Sequence, residues 1–203
     1  MQNYPSLETA MPHTTFLLRS LRGLAGILAL LPALALAAGA EALTFDNVNY
    51  VHRWSKNGQN EFTPPAETDL NHWTDMVTIN VVEQATDGDK LAQLANLVLK
   101  RYQAAGKVVR INSLPRSDTR PAEHYIAAVL GNPGFLEAVF ARFVLVEGTG
   151  FILIHSHRIY GQQAGNDMAQ WLQANGPQQE AALMAWNAMP SLQALRQLPQ
   201  SAK

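Results

Sequence analysis

Two long apolar runs late in the chain, residues 135–147 and 151–160, constrain its fold more than any other feature. They are joined by Gly148-Thr149-Gly150 and are rich in β-branched and aromatic side chains. Runs of this kind broken by glycine predict an antiparallel hairpin at the centre of a sheet.

The segments before it supply further strands. Residues 48–55 (VNYVHRWS) read as a strand, and Asn57-Gly58 after them is a strong two-residue hairpin signal. Residues 59–63 form the return strand, which Pro64-Pro65 ends. Residues 69–75 read as a short helix. Val77, Ile79 and Val81 then alternate with Thr78 and Asn80, the period of a strand. Residues 87–105 form the clearest helix: Leu91, Leu94, Ala95, Val98 and Tyr102 make one apolar stripe, Asp87 or Asp89 caps it, and Gly106 suits its C-terminal end. A strand over 107–114 and a Pro-bounded polar loop over 115–121 follow. Residues 123–130 fit either strand or helix. After a flexible loop at 161–165, two helices are expected, one from Asn166 or Asp167 to Gln173 and one over 177–189, with a short or frayed helix at the end.

Strands followed by helices predict an α+β domain. The expected architecture is an antiparallel sheet of about five to seven strands with a long helix and C-terminal helices packed on it. This element order resembles that of the exported Mog1/PsbP-like sandwiches. The resemblance implies that kind of sandwich and, resting on element order alone, transfers no residue roles.

The start of the chain has the build of a secretory signal peptide. Arg19 and Arg22 form a positive region, residues 24–38 an apolar one, and Ala38-Gly39-Ala40 and Ala40-Glu41-Ala42 both offer the small-x-small cleavage pattern. Met11 is a plausible true start. Residues 1–42 are therefore expected to be removed, leaving 43–203 as a single periplasmic or secreted domain with no membrane association. The competing expectation is an uncleaved anchor, against which the Ala-rich run and Pro32 argue. The chain has no cysteine, which excludes a lipid-anchoring cysteine, disulfides and thiol chemistry. Its 15 basic and 16 acidic residues are scattered, which argues against a nucleic-acid surface.

Three groups of residues carry possible chemistry. On a strand, His155 and His157 point to one face and can share a divalent metal ion, with His124, Glu123 or Glu137 as a third ligand. Equally, both can sit on an exposed face or in a hydrogen-bonded cluster. Arg142 shares the apolar face of Leu136, Ala138, Phe140, Val144 and Val146, and needs a partner. Glu123, Glu137 or a bound anion can serve. Arg116 and Arg120 flank Ser117-Asp118-Thr119, a loop able to cradle an anion or to form a solvated turn. Arg158 is a further anion-holding candidate.

The usual signatures of hydrolases and nucleotide binders are missing: no G-x-S-x-G, no P-loop and no G-x-G-x-x-G. Ser156 lies between the histidines but faces the other side of its strand. The leading expectation is a non-catalytic exported binding or accessory domain for an envelope protein or a small ligand, with no resident cofactor. One alternative is a metal-assisted or acid/base enzyme using His155, His157 and Arg158. Another is a structural part of an envelope complex, with Met184 and Trp186 as its exposed contact.

Overall fold

Three two-residue turns with both central residues at positive φ fold most of the sheet: Asp46-Asn47, Asn57-Gly58 and Glu147-Gly148. Such turns match the right-handed twist of paired strands, and Asn, Asp and Gly tolerate the left-handed region best. The computed structural model describes residues 41–201. The expected leader, its cleavage pattern up to Ala40 and the Met11 start lie outside the described residues.

The strands are β1 (Ala42–Phe45), β2 (Val48–Lys56), β3 (Gln59–Thr63), β4 (Asp75–Val82), β5 (Gly106–Leu114), β6 (Glu123–Asn132), β7 (Phe135–Val146) and β8 (Thr149–Tyr160). They form one eight-stranded sheet in the order β1-β2-β3-β4-β8-β7-β6-β5. Every pairing is antiparallel. The helices are α1 (Gly88–Ala105), α2 (Ala164–Ala185) and α3 (Leu192–Arg196). The domain is α+β: α1 carries the chain from β4 to the far edge, where β5 starts the return meander.

The sheet has two apolar faces. Leu91 and Ala95 of α1 meet Ile126, Ala141, Phe143 and Ile152 on one. Met168 and Leu183 of α2, with Leu195 of α3, meet Phe45, Phe62, Tyr125, Phe140, Phe151 and Leu153 on the other. Alternation along β7 and β8 therefore serves both cores, which is why these strands read as nearly continuous apolar runs.

Several expectations change. There are eight strands; β1, only four residues long, hides where the leader was expected to end. Residues 69–75 form an Asp69-led turn instead of a helix, with Asn71 N–H donating to Asp69 Oδ1 at 2.8 Å. Residues 123–130 are strand, because β6 pairs on both sides. The central turn is Glu147-Gly148, with Thr149 already paired to Val146. Asp87 caps α1, accepting from Lys90 N–H at 2.9 Å. Gly106 is not a left-handed cap: it opens β5 in extended backbone, where a Cβ would meet Val129 O at 2.0 Å.

The two expected C-terminal helices are one, with Pro177 inside it. An interior proline removes a hydrogen bond and costs about 3 kcal/mol. Burial of Met168 before it and Leu183 after it against the same sheet face opposes the break. α2 starts at Ala164, so Asn166 and Asp167 lie in its first turn and do not cap it.

Candidate functional site

A groove of about 800 Å³ opens beside α2. Its floor is Tyr125, Ala127 and Phe140 of β6 and β7; its wall is Leu172, Gly176, Pro177, Ala181 and Met184 of α2. It lies between α2, which packs on β7 and β8, and the exposed edge strand β5, over β6 and β7 side chains that are themselves buried. Gly176 and Ala181 keep the helix wall thin. At the β5 side Arg110 and Asn112 both donate to Glu180 of α2, a polar bridge on a largely apolar cleft. Large apolar clefts with a few converging polar groups are the usual form of a binding site.

A second, smaller site of about 220 Å³ lies on the same face of the sheet, near β1 and β2. There His157 Nδ1 lies 2.9 Å from Asp75 Oδ1, and His155 Nε2 lies 3.5 Å from the same oxygen. The Tyr50 hydroxyl is 3.4 Å from His155 Nε2, and the His157 ring stacks on Trp171 at 4.0 Å. The register places them: β4 runs beside β8 with Asp75 opposite His157. Burial alone would raise the Asp75 carboxyl, but the two imidazoles outweigh it and hold it well below the usual carboxylate range. With Asp75 ionised, the contact requires a proton on His157 Nδ1, which donates to Asp75 Oδ1. The Tyr50 hydroxyl is pushed up, first by burial and then by the Asp75 charge.

His124 does not join this pair. It follows Glu123 on β6 and lies opposite Phe143, on the α1 face, where its Nδ1 meets Ser113 Oγ at 3.0 Å. Burial lowers its pKa. The three-imidazole metal centre is therefore not assembled, and among the described residues no group of three His, Cys, Asp or Glu is arranged to hold a metal ion. Glu137 also lies on the α1 face, paired with Arg158.

Arg142 is buried and paired. Its Nε donates to Glu123 Oε2 at 2.7 Å, and one Nη donates to the carbonyls of Leu183 and Trp186 at 3.1 and 2.8 Å. It latches the end of α2 onto the sheet, and the charge that offsets it is Glu123. Arg158 points to the opposite face from the histidines. Its Nε donates to Glu137 at 2.9 Å, and its guanidinium lies 3.7 Å from the Trp73 ring centre and 4.3 Å from that of Phe135. The residues of the expected His155/His157/Arg158 cluster thus divide between two faces, since neighbours on a strand alternate.

Arg116 and Arg120 are exposed on a tight turn closed by Ser117 N–H donating to Arg120 O at 2.9 Å. Trp186 is buried, not an exposed contact: it packs edge-on against Phe45 at 5.3 Å and donates to Thr44 O at 3.1 Å. Met184 is half-buried in the groove wall.

The sequence reading missed Asp75 and Tyr50 as companions of the histidines, and the groove entirely. Asp75 opens an alternating strand, a position that signals an edge polar group and nothing more. The groove depends on how far α2 reaches over the sheet, which no local pattern encodes.

A protein-family model matches residues 38–188. Among solved structures the chain is similar to the Saccharomyces cerevisiae Ran-binding protein Mog1p, with 8% identity and a TM-score of 0.42, over 66% of this chain and 82% of that one. No curated protein matches the chain in sequence. No described helix is long and apolar enough to cross a membrane.

Proposed function

The chain belongs to the family whose model matches residues 38–188, and we propose that it is an exported, non-catalytic binding domain that holds its ligand in the groove between α2 and β5–β7. The groove carries this reading: it is the larger of the two sites and mostly apolar, and its only ion pair already bridges wall to edge. Export is supported by the Arg19/Arg22 and 24–38 pattern. Two contacts favour Glu41 over Leu43 as the mature start. His52 N–H donates to Glu41 O at 2.8 Å, and Ala42 pairs with Val51. Cleavage before Leu43 would remove both.

The test is an apolar fluorophore, 1-anilinonaphthalene-8-sulfonate, titrated into the mature protein. Its fluorescence should rise with a saturable curve, and Ala181→Trp, which fills the groove, should abolish the rise while the urea midpoint stays unchanged. An equal response from both proteins would sink the groove as the site.

One observation favours a second reading, an acid/base enzyme. Asp75 orients His157 as a carboxylate orients a catalytic imidazole. Water would then be the nucleophile, because Ser156 is on the other face.

A further inference from the structure

Among the described residues β5 ends the sheet, pairing with β6 on one side and with no strand on the other. A strand edge of this kind leaves backbone N–H and C=O groups free to pair with another chain. β5 is nine residues long and exposed along most of its length, with Val109 at 44% and Ile111 at 55% of full exposure. The opposite edge, β1, has four residues, and its Thr44 carbonyl is taken by the Trp186 indole; on the longer β5, Asn112 Oδ1 accepts from Ser113 N–H.

The free edge borders the groove, since Val109, Arg110, Asn112 and Leu114 of β5 line it. Its charge is lopsided. Lys107 stands at one end of β5, Arg116 and Arg120 lie just past the other, and Arg110 lies between. Against these four cations stand Asp118 and Glu180, and Glu180 is engaged by Arg110 and Asn112. Glu123 is buried against Arg142. Among the described residues Lys107 and Arg116 make no ion pair, and Arg120 reaches only Glu123, at 3.9 Å.

We propose that β5 receives an extended segment of a partner protein as a ninth strand, with apolar side chains in the groove and acidic residues at both ends of the segment. This rests on the groove reading and names its occupant. Backbone pairing supplies affinity, alternate side chains entering the groove supply selectivity, and the cations at the two ends set the position of the segment. The bulge between Val108 and Arg110 and the cations bar indiscriminate pairing, including with a second copy of the same positive edge. An acidic segment removes that bar.

The test uses a fluorescein-labelled nine-residue peptide, Glu-Glu-Val-Ile-Val-Ile-Val-Glu-Glu, read by anisotropy and by amide hydrogen exchange. Binding should be saturable and should protect β5 amides. Arg116→Glu with Arg120→Glu should weaken it about tenfold, the scale of losing two exposed charge contacts. A peptide with proline at its central position should not bind, and one with lysine ends should bind more weakly than the acidic one. Unchanged affinity of the proline peptide, no protection of β5, or a dimer joined through β5 in sedimentation would each overturn the proposal. If the fluorophore still fills the groove, only the ninth strand falls; if neither probe binds, the groove reading falls with it.

Discussion

The groove and the Asp75 cluster lie on one face of one sheet, yet they are built in opposite ways. The cluster is mostly paired: Asp75 meets two imidazoles and His157 stacks on Trp171, while His155 Nδ1 is buried without a hydrogen-bond partner. The groove is open at its rim: its floor of Tyr125, Ala127 and Phe140 is buried, but Val109 of β5 and Pro177 and Ala181 of α2 are exposed. A carboxylate paired with two imidazoles stabilises the protein. Apolar surface left open on a folded domain is the commoner mark of a binding site. The position of α2 decides the difference, because the helix packs on β8 and β7 and leaves the edge strand β5 exposed.

The largest effect is expected where both regions share an anchor. Arg142→Ala leaves Glu123 buried without its partner and frees two carbonyls at the end of α2. Loss of one member of a buried pair costs about 3–5 kcal/mol. Urea unfolding should show that loss, and the surviving folded protein should bind the fluorophore poorly. Intact binding would mean that α2 holds its position without this latch.

The next effect separates the regions. Asp75→Asn should destabilise the protein by about 1–3 kcal/mol at neutral pH, the scale of losing a charge-assisted hydrogen bond. The folded carboxyl titrates below its ordinary value of 3.8. Its stabilising contribution is therefore complete above that value and is lost as pH falls through it toward the folded pKa. The gap between wild type and variant should hold from neutral pH to about pH 4 and narrow below it, as followed by urea midpoints from neutral pH to about pH 2. A constant gap across that range would remove the charge from the explanation. Unchanged stability with lost turnover of a substrate would favour the enzyme reading.

The smallest effect is in the groove itself. Ala181→Trp should change stability by no more than about 0.5 kcal/mol, because Ala181 is exposed. A large loss would mean that the groove is a tightly packed part of the core.

Much of the sheet was legible locally. Asn57-Gly58 marked its turn, since few other residue pairs accept positive φ twice, and the alternation at 77–81 marked β4. The stripe of α1 and its Asp87 cap were equally plain. The ends of elements were less so. Pro177 read as a helix boundary, and burial on both sides of it kept α2 whole. For the candidate sites, the same-face placement of His155 and His157 and the need of Arg142 for a partner followed from strand alternation. Their partners did not: Asp75 is 80 residues from His155 in sequence and adjacent to it only because β4 pairs with β8.

What the sequence determined by itself was periodicity and turn chemistry, and so the class of fold, the inward faces of the strands and the lack of any disulfide. These are local properties, set within a few residues of backbone preference and side-chain spacing. Tertiary structure decided which strands became neighbours, which histidine fell on which face, and how far α2 reached across the sheet. Those outcomes depend on contacts between residues far apart in the chain, and the groove beside β5 is the surface that those contacts leave uncovered.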